Sequence, residues 1–152
     1  MFNMNISISI IGIIVFILPM LINIVYFVYP PDNQEVNQNN QYLELVEQST
    51  RILYAITISC LTSKQLINYH SLLLYLAIIF LVLYYIVWFH YFIGGRDIRL
   101  LSKSFLFIPM PLAVFPVLYF IFSALWLKNY YAVIVMVIFG IVHYVNSTKA
   151  FK

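Results

Sequence analysis

Residues 69–93 read YHSLLLYLAIIFLVLYYIVWFHYFI, 25 positions without an Asp, Glu, Lys or Arg, closed by Gly94-Gly95. A helix over this stretch, at ~1.5 Å per residue, is longer than the ~30 Å hydrocarbon core of a bilayer. It is apolar on every face, so no side is reserved for water, and the paired glycines stop it. The same pattern recurs outward in both directions. Ile6 to Val28 is apolar apart from Ser7, Ser9, Gly12, Pro19 and Asn23, and Phe105–Leu127 and Tyr130–Ser147 give two more such runs. No Lys or Arg precedes the first run and it ends in Val-Tyr-Pro-Pro, so it reads as a retained span rather than a signal peptide.

Composition agrees. The 152 residues are 64% hydrophobic and only 9% charged, against about 25% charged in soluble domains. A globule of this size cannot bury such an excess, which excludes a soluble enzyme and a free nucleic-acid binder. The single cysteine, Cys60, excludes an internal disulfide framework. The predicted fold is all-α, a polytopic integral membrane helical bundle forming one transmembrane domain over residues 1–152. Its spans fall at about 6–28, 49–67, 69–93, 105–127 and 130–147. Residues 30–48 form a cytoplasmic polar loop and the start of an amphipathic helix.

The second span decides the count. Its apolar core, Ile52 to Leu61, covers about half a membrane, with Arg51 and Lys64 flanking it and able to snorkel outward. The alternative is a re-entrant or interface-lying segment and four crossings. With five spans, Arg51, Arg96, Arg99, Lys103, Lys149 and Lys152 share one side and Lys64 and Lys128 the other, six against two. With four the tally is five against three. Excess basic residues mark the cytoplasmic side, so both schemes place the C-terminus there, and five spans place the N-terminus outside. The net charge of +3 anchors membrane edges to anionic lipid and carries no nucleic-acid message. Heavy use of Ile, Asn, Tyr and Lys fits an AT-rich bacterial genome, and so the cell's cytoplasmic membrane.

Ionisable groups in or beside spans are functional candidates because lipid makes them costly. Glu47 and Arg51 stand four apart on one helical face, in the order that favours pairing, and Thr50, Tyr54 and Thr57 extend that face as a polar stripe. The stripe is either a helix-start ion pair or the wall of a substrate or ion path. His143 shares a face of the fifth span with Met136, Gly140 and Ser147, the glycine admitting a close neighbour. At the cytoplasmic end of the third span, His90, Arg96 and Asp97 form a second cluster, suited either to anchoring on phosphate or to acid–base work on a lipid headgroup. His70 reads as interfacial.

Four prolines are candidate helix kinks: Pro19, Pro109, Pro111 and Pro116. Pro109 and Pro111 fit a first turn, whereas Pro19 and Pro116 are interior and free the carbonyls of Val15 and Leu112. The polar stripe, the freed carbonyl and the His143 face are expected to converge, since lipid satisfies none of them. No cofactor-binding or metal spacing is present, nor a Gly-x-Ser-x-Gly elbow. Asn146-Ser147-Thr148 matches a glycosylation sequon but lies on the cytoplasmic side. Three functional classes follow, the first favoured: a non-enzymatic membrane subunit or accessory protein, a small-solute or ion transporter or channel acting as an oligomer, and a membrane enzyme acting on lipid headgroups. The expected partners are the lipid bilayer and a second copy or another membrane protein.

Overall fold

The computed structural model describes residues 4–31 and 40–150. The chain is mostly helical. In order it forms β1 (Met4–Ile6), α1 (Ile10–Val28), α2 (Gln41–Cys60), β2 (Leu61–Ser63), α3 (Leu72–Ile93), α4 (Arg99–Ser102), α5 (Pro111–Trp126) and α6 (Tyr130–Ala150). Among the described residues, α1, α3 and α6 are long and apolar enough to cross a membrane, and α5 is a shorter apolar helix. Apolar side chains on the outward face of α1 (Ile10, Ile14, Ile17, Leu21, Ile24) are 46–72% exposed to the surroundings. Water does not tolerate such a stripe, whereas lipid does. These helices are compatible with membrane insertion.

Each long helix runs antiparallel to the one before it. At one end β1 pairs with β2 antiparallel, in the register Met4–Ser63, Asn5–Thr62 and Ile6–Leu61. The amides of Ser7 and Ser9 continue the ladder onto the carbonyls of Cys60 and Ser59, which a helix C-terminus leaves without partners. The Ser7 and Thr62 hydroxyls also meet. Two further bonds tie this end together. Trp126 Nε1 at the end of α5 donates to the Asn68 carbonyl before α3, at 2.9 Å. Asn129, fully buried between α5 and α6, donates through Nδ2 to the carbonyls of Thr57 and Leu61, at 2.8 and 2.9 Å. Its Oδ1 accepts from the Ala132 amide at 3.1 Å. One amide side chain thereby caps the C-terminus of α2 and the N-terminus of α6.

The other end carries the chain between α3 and α5, the start of α2 and the end of α6. There α3 closes in a Schellman turn, Gly95 at φ +82° and the Arg96 amide bonded to Tyr91 O at 3.1 Å. Of the described Lys and Arg residues, Arg96, Arg99, Lys103 and Lys149 belong to this end and Lys64 and Lys128 to the opposite one. It is called the basic end below.

Several expectations need correction. The second helix starts at Gln41 rather than 49 and stops at Cys60, where the chain turns extended instead of continuing to 67. It is one unbroken helix packed against α1 and α6, not a segment that doubles back. Its early start moves Arg51 from an edge into the middle of the helix, so Arg51 no longer counts in the side-to-side tally. The first helix begins at Ile10, because residues 4–6 are a strand, a departure from a purely α fold. The helix expected from 105 begins only at Pro111. Pro109 therefore lies outside any helix and Pro111 is the first helical residue, where a missing N–H costs nothing. Only Pro19 and Pro116 are interior prolines. The third and fifth helices run 72–93 and 130–150. Of the polar stretch 30–48, residues 32–39 lie outside the described residues, and the rest from Gln41 is already helix.

Candidate functional site

The site is built on one carboxylate. Glu47 projects from the first half of α2 toward α6, its side chain 13% exposed. Its Oε1 accepts from Arg51 Nη2 at 2.8 Å, one helical turn on, and lies 3.0 Å from His143 Nδ1. Its Oε2 accepts from Asn146 Nδ2 at 2.7 Å. A carboxylate only accepts, so Nδ1 is the protonated ring nitrogen here. His143 and Asn146, three residues apart, reach Glu47 from the same face of α6. Phe139, one turn before His143, stacks on its imidazole with ring centroids 5.0 Å apart. The Arg51 guanidinium sits 5.5 Å from the centroid of the same phenyl ring, a cation–π contact. The cluster ties the early turns of α2 to the late turns of α6, as Asn129 ties their other ends.

Beside it lies a cavity of about 230 Å³ to which α1, α2, α3, α5 and α6 all contribute. Arg51, Tyr54 and His143 line it together with Leu112 and Pro116 of the proline-bearing helix. Of the candidate residues, Arg51 and Tyr54 of α2, Pro116 of α5 and His143 of α6 thus face one space, whereas Glu47, Thr57, Pro109 and Pro111 are not in its lining. From residues toward the basic end, such as Leu101, Met110 and Ser147, the lining runs to Phe16, Tyr54 and Phe120 near the middle of the helices. There the rings close it off, with centroids 6.1 Å apart for Phe16 and Phe120 and 4.9 Å for Tyr54 and Phe120. The Tyr54 hydroxyl fixes the stack by donating to Phe120 O at 2.9 Å. Beyond it Val15, Ile58, Tyr119 and Ala132 are buried core, so the cavity is blind.

Thr57 stands apart from the cavity. Its hydroxyl turns back onto the carbonyls of Leu53 and Tyr54 in its own helix, the usual resort of a hydroxyl without a partner across the interface. Pro19 acts as its position implies. The Val15 carbonyl, left without its helical donor, is taken by the Tyr119 hydroxyl at 2.9 Å.

In the second candidate cluster, no hydrogen bond or ion pair joins His90 to Asp97 among the described residues. The helix ends at Ile93, so His90 and Asp97 are not carried on one face. His90 is exposed, and Asp97 turns to Arg99, accepting from its amide at 2.9 Å and from its guanidinium at 3.1–3.2 Å. The Arg99 guanidinium, with its backbone amide, holds the Asp97 carboxyl below the usual carboxylate range. This is a local turn lock.

Sequence reasoning missed Asn146, Asn23, Tyr84 and Trp88. Asn146 sits at i+3 from His143, a spacing that could have flagged it. The Tyr84 hydroxyl donates to Asn23 Oδ1 at 2.9 Å across α3 and α1, and Trp88 is buried with no acceptor at full hydrogen-bond geometry for Nε1. All three of the latter line the cavity, and each reads as an interfacial or packing residue in its own span. No family model, curated protein or solved structure matches this chain. What the fold and site define is a helical bundle with apolar outer faces and a mostly apolar internal cavity carrying a few polar groups.

Proposed function

We propose that the protein is an integral membrane protein of five crossings, its N-terminus outside and its C-terminus cytoplasmic, that serves as a non-catalytic accessory or binding component of the cell membrane. The blind cavity in the basic half of the bundle carries this reading. An accessory protein that holds a ligand or a partner's side chain needs a walled space reachable from one side, and a pore needs two mouths. The ionisable groups around the cavity are engaged with one another: both Glu47 oxygens accept hydrogen bonds, from Arg51, His143 and Asn146. That arrangement favours fixed binding geometry over proton transfer. Acid–base work on headgroups loses its support with the dispersal of His90 and Asp97.

A transporter acting as an oligomer is the second reading, and one observation favours it. Only the Phe16–Phe120–Tyr54 stack and the core behind it separate the cavity from the opposite end. Reconstitution into sealed vesicles tests the choice. A binding component leaves solute gradients intact in the native protein and in Tyr54→Ala. Flux in the native protein that Tyr54→Ala accelerates would establish the transporter.

A further inference from the structure

Resting on the reading of this cavity as a binding site, we propose that its occupant is a small monocarboxylate with an apolar body. The argument is one of unmatched hydrogen-bonding capacity. Two strong acceptors are already engaged: Asn23 Oδ1 is taken by the Tyr84 hydroxyl, and both oxygens of Glu47, beside the cavity, are taken. Three donors of the wall are under-used. Trp88, only 6% exposed, has an indole N–H that reaches no acceptor at full hydrogen-bond geometry, with the Tyr84 hydroxyl as its polar neighbour, and a buried donor so weakly matched is destabilising. The Asn23 amide N–H₂ meets only the thioether of Met20, at 3.8 Å, a weak acceptor. Arg51 bonds Glu47 through Nη2 alone, although a guanidinium carries a fork of five N–H donors.

A ligand that completes this wall must accept hydrogen bonds. Among acceptors, a carboxylate matches both the charge and the two-pronged geometry of the guanidinium. The remaining lining, including Met20, Leu112, Phe120, Met136 and Phe139, is apolar and suits a hydrocarbon or aromatic body. The volume equals roughly eight water molecules at ~30 Å³ each, the size of a short-chain acid. A string of waters would find too few polar partners along that wall. The same chemistry has two sources, a short carboxylate arriving from water or a fatty acid reaching in from the leaflet with its carboxylate and first carbons, the rest of its tail left in lipid.

Trp88 is its own reporter, because the only other tryptophan is Trp126, at the far end of α5. Full-length Trp126→Phe protein in phosphatidylcholine vesicles is titrated from water with hexanoate, hexanol or hexylammonium, and a parallel set of vesicles carries palmitate. A saturable change in Trp88 emission is expected with hexanoate or palmitate and not with the alcohol or the amine. Response to hexanoate alone assigns the water-borne source, and response to palmitate alone the membrane-borne one. Arg51→Gln should weaken the carboxylate by about tenfold or more. Where that variant does not fold, Arg51→Lys, which keeps the charge and loses the fork, should weaken it several-fold. Equal response to hexanol, unchanged affinity in the arginine variants, or no response to either carboxylate overturns the proposal. Entry of hexanoate into the vesicle lumen faster than into protein-free vesicles would keep the carboxylate site and replace the accessory reading with the transporter.

Discussion

At the scale of single residues, the bundle depends on a few polar side chains with more than one partner each. Removing Glu47 leaves Arg51, His143 and Asn146 without their common acceptor inside a half-buried cluster. Glu47→Ala is therefore expected to cost about 2–3 kcal/mol, the partial exposure of Arg51 holding the figure down. A double-mutant cycle with His143→Ala should give a coupling above about 0.5 kcal/mol, measured by thermal unfolding in detergent. Arg51→Ala should likewise destabilise far more than Lys64→Ala, since Lys64 lies outside the helices and its loss should stay within ~0.5 kcal/mol. Equal effects would mean that the cluster contributes nothing. Asn129 gives a sharper case. Asn129→Ala strands the Leu61 carbonyl and the Ala132 amide and should cost about 2–3 kcal/mol. Asn129→Asp keeps the acceptor for Ala132 but faces two carbonyls with an anion, so it should be at least as damaging. A milder Asn129→Asp would overturn the two-helix cap.

Between elements, the close approaches are set by glycine. A Cβ on Gly12 would lie 1.9 Å from the Ile58 carbonyl oxygen, and backbone cannot step aside, so Gly12→Ala must force α1 and α2 apart. At Gly140 the same atom would meet a Val117 methyl at 2.6 Å, which a side-chain rotation relieves in part. The expectation is a clearly larger loss of melting temperature for Gly12→Ala than for Gly140→Ala, with the reverse order excluding this account of the α1–α2 contact. The elements also show why the sequence was legible only in part. Helices α1, α3 and α6 stand out because uniform apolarity over some twenty residues is itself the physical requirement for lying in lipid. The pairing of Glu47 with Arg51 was legible because it is local, one turn apart. The ends were not: an extended N-terminal strand, a helix beginning in the polar run at Gln41 and the extended chain after Cys60 are stabilised by partners distant in sequence. Asn129 illustrates this, since its three bonds join residues that no window contains together. The cavity was legible only as a convergence of unsatisfied groups; Asn23 and Trp88 each needed neighbours from other helices to become visible.

For the whole molecule, the decisive quantity is the direction of the bundle in the membrane, and the chain supplies its own probe. Cys60 is the only cysteine, it is exposed, and it sits at the end of α2 opposite the basic end. With Arg51 inside the bundle, the described basic residues still divide four against two, Arg96, Arg99, Lys103 and Lys149 against Lys64 and Lys128. Basic loops are retained in the cytoplasm, so Cys60 should face outward. In intact cells an impermeant maleimide is expected to modify the native protein. In a Cys60→Ser background, Gln41→Cys and Ser104→Cys, both exposed positions at the basic end, should react only after permeabilisation. Gln41 and Cys60 flank α2, so opposite accessibility at these two makes that helix a crossing and sets the number at five, given the antiparallel course of its neighbours. Protection of Cys60 with labelling at Ser104 would invert the molecule and turn the cavity to the outer leaflet. Labelling of Gln41 and Cys60 from the same side would remove α2 from the count, despite its continuous packing against α1 and α6.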